Sequence, residues 1–317
     1  MDAAEGLCYI ARRIRGSGSA VSSARPRLGM VAELTQLEAL PEAGAGPIVD
    51  LPAQPSRLDH AIADFIEGWG LNWLWVRLAH QDMRIRYRGS IIGPFWQTLT
   101  TVIMIGSMGF IYAKLFHVEL KDYLPLLTTG LIFWQLLAGI ITEGCGTFDA
   151  VRGIIQQVKL PLFLHAFRLV YRNLLIFAHS FVIVPIVLVI YPHPIEPLRL
   201  LELIPGAVLI AVNGVAIAIL LGTLCARFRD VPQIVASIVQ VIFFMTPIVF
   251  PPGALGNNQW LATVNPLYAA IDVMRAPLLG EPTGAHSWQL LLIVTMLNCV
   301  VSFLFFARFR SRIAYWV

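Results

Sequence analysis

Charge is what this chain has least of. Only 13% of its 317 residues are Asp, Glu, Lys or Arg, against ~25% in soluble domains. Hydrophobic residues make up 57%, and the mean hydropathy is +0.71. A soluble domain is excluded and an integral membrane protein is implied. Lysine is scarcer still: Lys114, Lys121 and Lys159 are the only three, and none follows a glycine. That excludes a P-loop, whose lysine closes a glycine-rich turn, so the chain cannot hydrolyse ATP alone. The four cysteines form no CxxC or Cys/His spacing, which leaves neither a disulfide framework nor a metal site. They read as small apolar fillers.

Intramembrane ionisable groups are equally few. His179 alone lies near the middle of an apolar run, whereas a proton-coupled transporter needs several such groups. A single His reads as bonded into helix packing. No paired carboxylates or nucleophile constellation supports a catalytic centre. The net charge of +4 does not point to nucleic acid, because the basic residues sit at the ends of apolar runs. That placement orients a chain in a bilayer.

Uncharged runs of membrane length cover 93–113, 123–142, 173–195, 203–226, the start of 231–271, and 287–307. The connections 149–172 and 227–230, the segment before Gly93 and the tail after Ala307 are rich in Arg; 117–122 and 192–202 are poor. The positive-inside bias is then satisfied by six crossings with both termini cytoplasmic. The run 231–271 holds 41 residues without Asp, Glu, Lys or Arg. It exceeds the ~20 that one crossing needs. Pro247, Pro251, Pro252 and Gly253 break its middle. A seventh crossing at 260–279 would carry Asp272 and Arg275 into hydrocarbon at ~2.5–3.5 kcal/mol each, and would put the Arg-rich tail outside. A single crossing at 231–250 and a re-entrant hairpin at 252–282 are cheaper. Non-helical backbone at that depth must line a cavity or lie within protein.

The organisation expected is all-α. A cytoplasmic extension, 1–56, is rich in Ala, Gly, Ser and Pro and reads as disordered. It has no h-region of signal-peptide length, and Met30 offers an alternative initiator. An amphipathic interface helix, 57–92, precedes the permease domain, 93–307, and a tail, 308–317, follows it. In the interface helix Trp73, Arg77, Arg84 and Arg88 share one face, and Leu71, Trp75 and Leu78 another, the pattern of a helix lying in the membrane surface. Its polar face either anchors the chain or also docks a cytosolic partner. The connection 149–162 is amphipathic, with Ile154, Ile155 and Val158 opposite Arg152, Gln156 and Lys159; Pro161 is expected to end its helix.

Several motifs carry a family resemblance. The opening R-I-R-Y-R-G-S-I-I-G-P-F-W at 84–96, V-R-G-I-I-Q-Q-V-K-L-P-L at 151–162 and A-R-F-R-D at 226–230 are three. The others are F-F-M-T-P-I at 243–248, N-P-L-Y at 265–268, V-M-R-A-P-L-L-G at 273–280 and R-I-A-Y-W at 312–316. Over roughly 69–317 the chain resembles the membrane subunits of ATP-binding-cassette exporters for cell-surface polysaccharides. These type-2 permeases handle O-antigen, galactan, capsule and teichoic acid.

The resemblance implies a bacterial inner-membrane homodimer working with two copies of a cytosolic ATPase that holds ATP and Mg. The chain itself would bind no cofactor and catalyse nothing. The implied cargo is an undecaprenyl-linked polysaccharide; a smaller amphiphile such as a drug or lipid, or proton-coupled transport, are the alternatives. ATPase closure would move 149–162 and the interface helix, through Arg77, Arg84, Arg88, Arg152, Ile155, Gln156 and Lys159. A path lined by the first and fifth crossings would then open. Phe95, Trp96, Tyr112, Phe133, Trp134, Phe243 and Phe244 are candidates for its lining, since aromatic faces let a sugar chain slide; packing or interfacial belts would use the same residues. Trp260, Asn265, Tyr268, Asp272 and Arg275 are candidates for an exit-side gate. Glu143 reads as a gate or interface residue, or as a solvated helix end.

Overall fold

The computed structural model describes residues 56–93, 95–250, 256 and 259–317. The extension 1–56 lies outside the described residues except for Ser56, as do 251–255, 257 and 258 of the hairpin 252–282. Among the described residues the secondary structure is entirely helical.

The segment ahead of the first crossing is two helices, α1 (Arg57–Gly70) and α2 (Asn72–Arg86). A single interface helix over 57–92 was the expectation, and the chain departs from it at Leu71, whose ψ of 36° is not helical. Gly68 and Gly70 lower helix propensity just there. Arg88 therefore lies beyond the end of α2, off the face shared by Trp73, Arg77 and Arg84. Ser56 starts α1 with a capping box: its hydroxyl accepts the Asp59 N–H at 3.2 Å, and Asp59 accepts the Ser56 N–H at 2.8 Å, satisfying two orphan donors. Gly68 is needed for contact, because a Cβ there would lie 3.1 Å from the backbone nitrogen of Leu164.

The bundle follows as α3 (Phe95–Phe116), α4 (Leu120–Gly144), the short α5 (Arg152–Gln157), α6 (Leu162–Phe181), α7 (Ile183–Ile190), α8 (Leu203–Arg227), α9 (Val231–Met245), α10 (Trp260–Thr263), α11 (Pro266–Leu279) and α12 (Ala285–Trp316). Among the described residues five stretches are long and apolar enough to cross a membrane: Phe95–Phe116, Leu120–Gly144, Leu162–Ile190, Arg199–Arg227 and Ala285–Trp316. α9 is apolar but has 15 residues, ~22 Å of helix against ~30 Å of hydrocarbon. The sequence led us to expect one helical crossing over 231–250. The helix stops earlier, with Thr246 extended at ψ 132°, where Pro247 disfavours helical geometry in the residue before it.

α4 is the central helix. Leu127, Leu131, Phe133 and Ile140 are buried in one core with Ile271 and Val273 of α11. A second core joins α1, α6, α8 and α12 through Ala61, Phe163, Phe167, Ile219 and Phe306. α11 is buried along nearly its whole length although it carries Asp272 and Arg275, so its charges need partners within the protein. Asn265 begins it, its side chain accepting the N–H groups of Leu267 at 2.9 Å and Tyr268 at 3.3 Å, with Pro266 next in the chain. Gly280 ends it at φ +75°, where a Cβ would meet the Pro194 carbonyl oxygen at 2.2 Å.

The short connecting helix α5 also ends earlier than expected. Val158 is extended and exposed, so it does not share a helical face with Ile154 and Ile155. Pro161 acts one residue ahead of itself, restricting Leu160, and becomes the N-cap of α6.

Candidate functional site

Two polar networks sit at different levels of α4. The first is built on Asp82 of α2 and Glu143 of α4. Arg168 of α6 donates to Asp82 through Nε at 2.7 Å and through a second guanidinium nitrogen, and Arg172 donates to it at 3.0 Å. Glu143 accepts from three donors: Arg172 at 2.8 Å, Arg86 at 2.6 Å and the Asn173 side-chain amide at 2.9 Å. Arg172 thus bridges both carboxylates and ties α2, α4 and α6 together. Bidentate, shared pairing of this kind is the strong form of the charge-assisted hydrogen bond. Burial opposes the Asp82 charge, but the two guanidiniums outweigh it and hold its pKa below the usual carboxylate range.

Asp64 on α1 is the counterpart with the opposite balance. It accepts the Phe163 N–H at 3.0 Å in the first turn of α6 and Arg310 Nε of α12 at 2.7 Å. Its side chain is wholly buried, and burial raises its pKa despite the Phe163 N–H and Arg310. One carboxylate supplied from α1 thereby satisfies an orphan donor of α6.

The second network joins the end of α9 to α11 and α12. Asn265 donates to the Thr246 hydroxyl at 2.8 Å. Arg275, 3% exposed, donates to the Pro247 carbonyl at 3.3 Å and to the Tyr268 hydroxyl at 3.4 Å, and lies 3.8 Å from Asp272. Tyr268 reaches Asp272 at 3.5 Å, and Ser287 of α12 donates to Asp272 at 2.6 Å. Beside it the Tyr123 hydroxyl donates to the Val249 carbonyl. Four of the five gate candidates, Asn265, Tyr268, Asp272 and Arg275, are therefore gathered into one cluster. Trp260 is exposed on α10 and takes no part in these hydrogen bonds.

The coupling candidates are more dispersed. Arg77 stacks over the Trp73 ring at 5.8 Å, and Arg84 and Arg88 are exposed. Arg152 pairs with Asp149 at 2.5 Å, Gln156 donates to the Val317 carbonyl at 3.4 Å, and Lys159 is exposed. Ile155 packs on the second core.

Of the aromatic candidates, Trp134, Phe243 and Phe244 form a contact chain with ring separations of 5.5 and 5.3 Å; Phe244 at its end is 70% exposed. Phe133 is buried against Phe177 and Phe181, and Tyr112 stacks on Phe116. Phe95 lies edge-on to His179, and Trp96 is exposed. The Nδ1 of His179 is 2.7 Å from the Leu175 carbonyl in its own helix. Sequence reasoning missed Asp82, Arg86, Arg168, Arg172 and Asn173 as one unit. An acidic residue inside a run of arginines was the available signal.

Residues 74–279 match the ABC-2 type transporter family. An O-antigen export system permease protein RfbA of Klebsiella pneumoniae is 25% identical over 247 residues, 76% of this chain and 93% of that protein. A second protein of that name from the same organism is 24% identical over the same shares. One from Myxococcus xanthus is 25% identical over 212 residues, 64% of this chain and 79% of that protein.

Proposed function

Because the chain belongs to the ABC-2 type transporter family, and is therefore a multi-pass transporter membrane subunit working with an ATPase component, we propose that it forms the channel of an exporter for lipid-linked polysaccharide. The cargo class follows the relatives named as O-antigen export permeases. The observation that carries the transport part is the Asp82–Arg172–Glu143 network. It links a surface helix to two spans through short ionic contacts, so a push on α2 is passed to α4 and α6. Two copies of the chain pair in the inner membrane with two copies of the ATPase, which holds ATP and Mg; this chain binds no cofactor and performs no catalysis.

In this reading α9 with residues 246–250 is a short sixth crossing, and both termini are cytoplasmic. The hairpin around α11 dips back from the outer face, and its Asn265–Tyr268–Asp272–Arg275 cluster is the exit-side gate. The burial of α11 supports a protein-lined element at membrane depth. In this reading the Trp134–Phe243–Phe244 chain lines part of the path, which its run of ring contacts supports.

Depletion of the protein followed by glycan analysis tests the cargo: an undecaprenyl-linked polymer accumulates inside the cell and disappears from the surface. Normal surface glycan after complete loss refutes it. A cysteine replacing Glu281 tests the topology, since it reacts with an impermeant maleimide from the outer face only.

A further inference from the structure

A groove of about 750 Å³ runs between α1, α2, α6, α8 and α12, away from both polar networks. Phe65, Trp69, Phe167, Ala211, Val215 and Phe303 are among its walls. It is open along Val208, Val212, Val300 and Leu304, which are exposed on two spans. At membrane depth an apolar concavity holds neither water nor vacuum. Water lacks polar partners there, and a void forfeits dispersion contacts. A bilayer lipid is the filler at hand.

One further feature selects the lipid. On α12, Val300, Leu304, Arg308 and Arg312 follow one another at four-residue spacing and so share a face. All four are exposed, and neither arginine has a carboxylate partner among the described residues. The face changes from apolar to cationic within one turn, as a surface spanning acyl chains and phosphates must.

We propose that the groove binds one anionic glycerophospholipid of the surrounding bilayer. An acyl chain fills the apolar walls, and the phosphate lies on Arg308 and Arg312. The lipid wedges the surface helices α1 and α2 against the spans. It is a bound component distinct from any transported cargo, so the proposal goes beyond the export reading and does not depend on it.

The test is photo-cross-linking of the full chain in nanodiscs containing phosphatidylglycerol with a diazirine in one acyl chain. Adducts are expected to concentrate on groove peptides of α6, α8 and α12, and to fall at least tenfold in Ala211→Trp, which fills the groove. Val215→Phe adds less bulk to the same wall, and should lower the yield two- to threefold even where Ala211→Trp fails to fold. Arg308→Gln with Arg312→Gln should lower the yield with phosphatidylglycerol several-fold and leave that of a phosphatidylcholine probe unchanged. Labelling spread evenly over α3, or an unaltered yield in all three variants, overturns the proposal. So does displacement of the label by undecaprenyl diphosphate, which would make this a cargo site, or an oxidant-induced Cys299–Cys299 cross-link between copies, which would make it a dimer face.

Discussion

The two polar networks are built from the same residue types and differ in how fully their charges are engaged. Around Asp82 and Glu143, three guanidiniums meet two carboxylates through contacts of 2.6–3.0 Å and one shorter still. Around Arg275, one buried guanidinium meets a carbonyl, a phenol and a carboxylate at 3.3, 3.4 and 3.8 Å. The first is a rigid joint. The second is weakly made, and its strongest contact, Ser287 to Asp272, bypasses the arginine. The proposed roles have opposite needs: in that reading the bonds of a coupling joint survive the motion, and those of a gate break.

The largest effect is expected at the joint. Asp82→Ala leaves Arg168 and Arg172 short of a counter-charge in a site where Asp82 is 14% exposed. The cost is about 3 kcal/mol, read as a lower thermal unfolding temperature in detergent. The pH dependence sharpens this. Because its folded pKa is depressed, Asp82 stabilises fully above the ordinary carboxylate pKa of ~4, and that contribution is lost as pH falls through the folded value. The variant should therefore lose less stability on acidification than the parent. Asp64 has the opposite sign, its stabilisation being complete below pH ~4 and lost as pH rises through its raised pKa. Asp64→Asn should flatten that limb instead.

Arg275→Met should cost less, about 2 kcal/mol, since its contacts are long and Asp272 keeps Ser287. A double variant with Asp82→Ala breaks or keeps the comparison. The networks meet α4 at Glu143 and near Gly130, beside Ile248, ~20 Å apart along the helix. Their costs should add within ~0.5 kcal/mol, and a larger coupling would make them one network. Asn265→Ala removes the cap of α11 and its tie to Thr246, and should cost ~1 kcal/mol.

The smallest stability effect belongs to Arg152→Ala, whose pair with Asp149 is exposed at both ends; unfolding should shift by no more than ~0.5 kcal/mol. Export should nevertheless fall several-fold if this segment meets the ATPase. Unchanged export would remove Arg152 from the coupling set.

Much of the fold was legible because hydrophobic runs and turn residues act locally. The five long apolar stretches sit where the uncharged runs lie, and Asn265–Pro266 and Gly280 bracket α11 as cap chemistry requires. The errors were local as well. Each came from reading periodicity through a breaker: Gly70 before Leu71, Thr246 before Pro247, and Leu160 before Pro161. Four of the five gate candidates come together because they lie on one helix and its cap; Trp260 lies on α10. The joint was missed because Asp82, Glu143 and Arg172 are far apart in the chain, and no spacing rule connects them.

The sequence by itself determined that this is a helical membrane protein, where its apolar stretches run and which residues close several helices. Those properties depend on transfer free energy and on neighbours within a few residues. Only the tertiary structure decided which charges meet, that α11 is buried rather than lying on the surface, and that α1 and α2 roof an apolar groove. Those outcomes depend on which helices pack side by side, and hence on shape complementarity between residues 29 to 246 positions apart.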